Sequence, residues 1–135
     1  MGTGVEYSSQ TENITKQRVL IVEDELFIAL DLEETIKEMG FDVAGLANGR
    51  DQALQLARDA DIAFVDVNLS DGPTGPEIGR RLVEEFGVTV VFMTGNPEAV
   101  ADKLNGALGV VTKPAMPSTV QRTLRKAAEL RRGLN

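Results

Sequence analysis

The chain has no cysteine and no histidine among its 135 residues. Without cysteine there is no disulfide framework and no thiolate metal site. Without histidine, imidazole is excluded as general base, as metal ligand and as phosphate carrier. Long apolar runs are also missing. Nothing approaches the roughly 20 apolar residues that span a bilayer, and the opening MGTGVEYSSQTENITKQ lacks the apolar central block of a secretory signal. Membrane insertion is not expected, and a reducing cytoplasm is the natural setting. A surplus of positive charge is missing too: 21 acidic residues face 14 basic ones, for a net charge of −7. A protein that grips a nucleic-acid backbone carries the opposite balance, so nucleic acid is not an expected partner. The one basic concentration, Arg122, Arg125, Lys126, Arg131 and Arg132, falls in the last helical stretch, where cations complement the carboxyl end of the helix dipole.

What is present is a rhythm. The length suits one domain with a proper core. Residues 1–16 are polar and aperiodic and are expected to form a mobile tail, followed by a domain over 17–132 and a short end at 133–135. Within the domain, β-branched runs alternate with amphipathic stretches. RVLIV (18–22), DVAGLA (42–47), DIAFVDV (61–67), VTVVFM (88–93) and LGVVT (108–112) have strand character. ELFIALDLEETIKEM (25–39), RDQALQLARD (50–59), PEIGRRLVEEF (76–86), PEAVADKL (97–104) and PSTVQRTLRKAAELRR (117–132) have helical spacing. Five strands alternating with five helices predict an α/β fold, a parallel sheet covered on both faces by right-handed crossovers.

In open parallel sheets, ligands bind outside the carboxyl ends of the strands. The first strand ends in Glu23-Asp24-Glu25, the third in Asp66, the fourth in Thr94 and the fifth in Lys113. The second ends in Asn48-Gly49, which is unremarkable. Each has a plain structural explanation: first-turn acids of the following helix, a turn-starting aspartate, a β-branched strand end, a loop lysine. Together they place three carboxylates, a hydroxyl and an ammonium on one rim, which the fold alone does not require. Burying a lone carboxylate such as Asp66 behind IAFV is costly without a partner. Crowded carboxylates tolerate one another best around a divalent cation, and oxygen ligands with few fixed protein groups suit Mg²⁺. A metal-paired aspartate is a plausible nucleophile toward phosphorus, with Lys113 and Thr94 to receive the phosphoryl oxygens.

VLIVEDE, AFVDVNLSDG, VVFMTG and VVTKP stand in the order and spacing of the response-regulator receiver domain of bacterial two-component systems, which the chain resembles from Gln17 to Arg132. The resemblance implies a flavodoxin-like (βα)5 three-layer sandwich with strand order 2-1-3-4-5. It implies that Asp66 accepts a phosphoryl group from a histidine kinase or histidine phosphotransfer protein. Asp24 then matches the direct Mg²⁺ ligand, Glu23 an acid acting largely through water, and Asn68 the position whose backbone carbonyl completes the metal site. Thr94 and Lys113 match the switch hydroxyl and the phosphate-binding lysine, and Lys113-Pro114 matches the family's cis peptide. FMTGN is also similar to an alphaproteobacterial receiver subgroup with a phenylalanine–alanine–threonine–glycine motif. The sequence departs from the family at two places. Val110 stands where an aromatic residue is common, so a switch through the 94–106 segment is expected instead. Glu23 replaces the commoner aspartate, which shifts metal geometry. Small Gly95 and nearby Asn68 leave a path for attacking water, so autodephosphorylation is expected.

The expected function is a stand-alone phosphoacceptor signalling module rather than an enzyme. Its output would pass by protein contact through the fourth helix, fifth strand and fifth helix, or by phosphate relay. Two alternatives compete with it. An aspartate-nucleophile phosphatase of the haloacid-dehalogenase type usually needs a second acid two residues after the nucleophile, where Asn68 stands. The other is a receiver-like scaffold that takes no phosphate.

Overall fold

In a computed structural model of the chain, residues 17–103 and 106–133 are described. The expected tail at 1–16 lies outside the described residues, as do positions 104–105 and 134–135. The element order is β1 (Arg18–Val22), α1 (Leu26–Glu38), β2 (Asp42–Ala47), α2 (Arg50–Leu56), β3 (Ile62–Asp66), α3 (Gly75–Phe86), β4 (Thr89–Thr94), β5 (Gly109–Thr112) and α4 (Pro117–Gly133). All neighbouring strands run parallel. Their order is β2-β1-β3-β4-β5, so β2 and β5 are the sheet edges. This is the doubly wound arrangement that the alternation predicts.

Strand alternation explains how both faces are filled. Successive side chains point to opposite faces, so Val19 and Ile21, Ile62 and Phe64, and Val91 and Met93 share one core with Ala29, Leu32 and Ile36 of α1 and Val120, Leu124 and Ala127 of α4. Leu20 and Val22, Ala63 and Val65, and Val90 and Phe92 face the other way, against Ala53 of α2 and Ile78 and Leu82 of α3. Every residue of β3 is buried, as expected for a strand central to a sheet covered on both sides.

Two glycines shape α3. Gly87 takes φ 67 at its carboxyl end, the left-handed cap conformation that a side chain disfavours. Gly79 lies mid-helix, where glycine ordinarily weakens the helix. A methyl group built there would stand 2.2 Å from Cζ of Phe92, so the missing side chain lets α3 press onto the β4 ring.

One predicted element is corrected. Of the predicted helix at 97–104, the described residues 97–103 do not form an α-helix, and position 104 lies outside the described residues. Pro97–Ala99 and Ala101–Lys103 are separate 3₁₀ turns. Within them nothing is fully buried, and only Val100, between the two turns, packs against the core. A segment this short lacks the tertiary support on which short helices depend. The end of the predicted second helix likewise tightens into a 3₁₀ turn at Ala57–Asp59.

Candidate functional site

The carboxyl ends of β1, β3, β4 and β5 meet at one rim, and the side chains there are unusually buried for their polarity. Glu23 is 3% exposed, Asp66 5% and Thr94 2%. Glu23 leaves β1 with its N–H donating to Ala47 O of β2 at 2.9 Å. That bond holds the β1–α1 turn against the sheet. Asp66 is the last residue of β3, paired in register with Met93, so Thr94 follows immediately on the neighbouring strand. Lys113 leaves β5 with its N–H on Thr94 O at 2.9 Å, and the Lys113-Pro114 bond is cis, as the resemblance implies.

Lys113 joins the acids. Its Nζ lies 2.9 Å from Asp66 Oδ2 and 3.0 Å from Glu23 Oε1, so one ammonium spans two buried carboxylates. The remaining oxygens are met by backbone. Asp66 Oδ1 accepts the Asn68 N–H at 3.1 Å, and Glu23 Oε2 accepts the Glu25 N–H at 3.1 Å. Asp24 is only half-buried. One carboxylate oxygen from each of Glu23, Asp24 and Asp66 lies within 4.8 Å of the others. Thr94 is at the rim, but its Oγ1 accepts the Asn96 N–H at 3.1 Å and, among the described residues, makes no hydrogen bond to the acids or to Lys113. The structure thus gathers Glu23, Asp24, Asp66 and Lys113 directly, with Asn68 tied to Asp66 through its amide and Thr94 alongside.

Burial is the main influence on Glu23. It raises the carboxyl from 4.5 to about 7, against the lowering effect of the Lys113 hydrogen bond, while neighbouring Asp66 pushes it further up. For Lys113, burial alone would weaken the ammonium. Its bonds to Asp66 and Glu23 outweigh that, and the pKa is raised. Three acids therefore surround a single cation, and the site has more negative charge than it can neutralise. An all-oxygen donor set of this kind matches a hard divalent ion that keeps part of its water shell.

A residue that motif reasoning missed also shapes the site. Gly75, at the start of α3, lies against the β3 end: a methyl group there would sit 2.2 Å from Asp66 O and 2.6 Å from Val67 Cα. Only the turn-rich composition of DGPTG hints at it, because the contact partner belongs to another element. Val110, at the position lacking an aromatic ring, is 39% exposed.

The chain is similar to known proteins. The profile of the response regulator receiver domain matches residues 19–125. The chain is 32% identical over 114 residues to the phyllosphere-induced regulator PhyR of Methylorubrum extorquens, covering 81% of this chain and 42% of that protein. It superposes on the solution structure of the PhyR receiver domain of Erythrobacter litoralis with a TM-score of 0.77 and 32% identity, covering 85% of this chain and 92% of that one. On the crystal structure of PhyR from Brucella abortus the TM-score is 0.78 with 28% identity, covering 96% and 56%. The chain spans about half the length of the curated relatives it matches.

Proposed function

The chain belongs to the response-regulator receiver domain family, and we propose that it works as a phosphoacceptor in which Asp66 takes a phosphoryl group from a histidine kinase or histidine phosphotransfer protein. The observation that carries this assignment is the single ammonium of Lys113 held between the buried carboxylates of Asp66 and Glu23, 2.9 and 3.0 Å away. A purely structural lysine has no need of two acids at a sheet rim.

In the transfer, an Asp66 oxygen forms a bond to phosphorus as the P–N bond of the donor phosphohistidine breaks. The imidazole leaves with the electron pair. Lys113, already touching Asp66, donates to the phosphoryl oxygens, and the Thr94 hydroxyl donates to another while its oxygen still accepts from Asn96. The Asn68 N–H holds the Asp66 carboxylate in a fixed orientation. Glu23, Asp24, Asp66 and the Asn68 carbonyl would hold Mg²⁺, which supplies positive charge to the phosphoryl oxygens. Once phosphorylated, the rim gains about −1.5 to −2 of charge. This biases the surface formed by segment 97–103, β5 and α4 toward a downstream protein, or the phosphate passes onward by relay. Apart from attaching and releasing its own phosphate, the domain turns over no substrate. Among the described residues no helix is long and apolar enough to cross a membrane, which is compatible with work in the cytoplasm.

The test is intact mass after incubation with acetyl phosphate and Mg²⁺. Wild type gains one labile phosphoryl group and Asp66→Asn gains none. A folded wild-type protein that stays unmodified would make the chain a scaffold, and turnover of phosphate esters would make it a phosphatase.

A further inference from the structure

Asp71 sits at the tip of the connection between β3 and α3, three residues beyond Asn68 and outside the acidic group of the rim. Its two oxygens have separate partners. Oδ1 accepts the Thr74 hydroxyl at 2.6 Å, and Oδ2 accepts the Arg50 N–H at 3.3 Å. The second bond crosses to the first residue of α2, directly after the turn that follows β2. Gly49 lies beside that bond, where a methyl group would stand 3.0 Å from Asp71 Oδ2.

Thr74 is informative because of what it does not do. It occupies the residue before α3, where a threonine oxygen ordinarily accepts a first-turn N–H. Here the side chain makes no such cap, and the hydroxyl is directed to Asp71. Hydrogen bonding to Thr74, then to the Arg50 amide, holds the Asp71 carboxyl below its ordinary value, so the acceptor remains charged in both bonds. The rest of the connection is pinned at its base: Leu69 and Gly72 exchange bonds of 3.0 and 2.9 Å, and the Gly75 N–H donates to Val67 O at 3.2 Å. Among the described residues, Asp71 provides the only side-chain acceptor bonds, both of them exposed, that tie the tip to the residue before α3 and to the start of α2.

Resting on the phosphoacceptor assignment above, we propose that Asp71 and Thr74 form a positioning latch that fixes the loop carrying the Asn68 carbonyl before a divalent cation arrives. Ordering of that loop is then completed on folding and is not charged against cation binding. The latch touches neither phosphate nor cation, so it changes affinity and leaves the chemical step alone.

The experiment measures Mn²⁺ affinity by the loss of the free-ion electron paramagnetic resonance signal, alongside hydrogen exchange over residues 67–75 in the metal-free protein. Asp71→Ala and Thr74→Val should each weaken Mn²⁺ binding by about three- to tenfold, the range that loss of one ordinary hydrogen bond converts to, and should speed exchange of the loop. The double variant should be no weaker than either single one, and Thr74→Ser, which keeps the hydroxyl, should match wild type. Phosphorylation by acetyl phosphate at saturating Mg²⁺ should keep its wild-type rate in all four. Affinities within twofold of wild type for both single variants would overturn the latch. So would additive losses, or a fall in the saturated rate. Absence of saturable Mn²⁺ binding by wild type would instead remove the phosphoacceptor assignment on which the latch depends.

Discussion

Replacing Glu23 by glutamine should make the metal-free protein more stable near neutral pH, although it removes an ion pair. Glu23 titrates at about 7 in the folded protein against an ordinary 4.5. A raised folded-state value means that the native state holds the proton more tightly than the unfolded chain. The favourable contribution is complete below pH 4.5 and is lost as pH rises through 7. The gap of about 2.5 units, at about 1.36 kcal/mol each, comes to about 3 kcal/mol between pH 4.5 and pH 8. Glutamine is near-isosteric and carries no titrating proton, so it escapes this loss. Lys113 retains its bond to Asp66 at 2.9 Å. Lys113 itself is shifted upward from 10.5, and its contribution is lost only above that range. Urea unfolding of wild type and Glu23→Gln in the presence of a chelator, from pH 4.5 to 8, measures the difference between Glu23 with its coupled neighbours and the variant, because acids remote from the rim contribute equally to both. The curves should meet near pH 4.5 and diverge by about 3 kcal/mol at pH 8, with the variant more stable. Curves that stay parallel across the range would refute the placement of Glu23 as a buried acid strained by its surroundings.

Lys113→Met should destabilise the metal-free protein by about 3 kcal/mol at pH 8, the low end for stripping one partner from a buried pair, and by less at pH 5, where Glu23 carries its proton; denaturant titration at the two pH values checks this. Gly79→Ala should cost about 1–3 kcal/mol through overpacking on Phe92, the opposite sign from the gain of about 1 kcal/mol that helix preference alone predicts. Thermal melts of the variant with and without Phe92→Leu separate the two effects, since the smaller side chain should recover part of the loss.

The residues of the rim were legible because they end strands whose apolar runs are unambiguous. Once IAFV and VTVV are recognised as central strands, Asp66 and Thr94 can only emerge side by side, and Lys113 follows from the next edge. Segment 97–103 misled for the converse reason. PEAVADKL puts Glu, Ala, Lys and Leu behind a proline suited to a first turn, but local preference cannot sustain so short a helix when, among its described residues, only Val100 is anchored. Gly75 and Gly79 were opaque because their significance lies in Asp66 O and the Phe92 ring, which no local pattern connects to them. The bonds of Asp71 were opaque as well: an aspartate before glycine fits any turn, and only the folded chain brings Arg50 beside it.

The two outer strands carry a consequence for how other molecules attach. β5 is four residues long and runs into Lys113 and Pro114, and proline offers no amide with which to extend a ladder. β2 begins at exposed Asp42 and slips register opposite Val19 and Leu20. Short, irregular or proline-terminated borders discourage a foreign strand from zipping on. Visitors are therefore expected to meet this domain through the side chains of its helices, loops and half-exposed β5 rather than by adding a strand to the sheet.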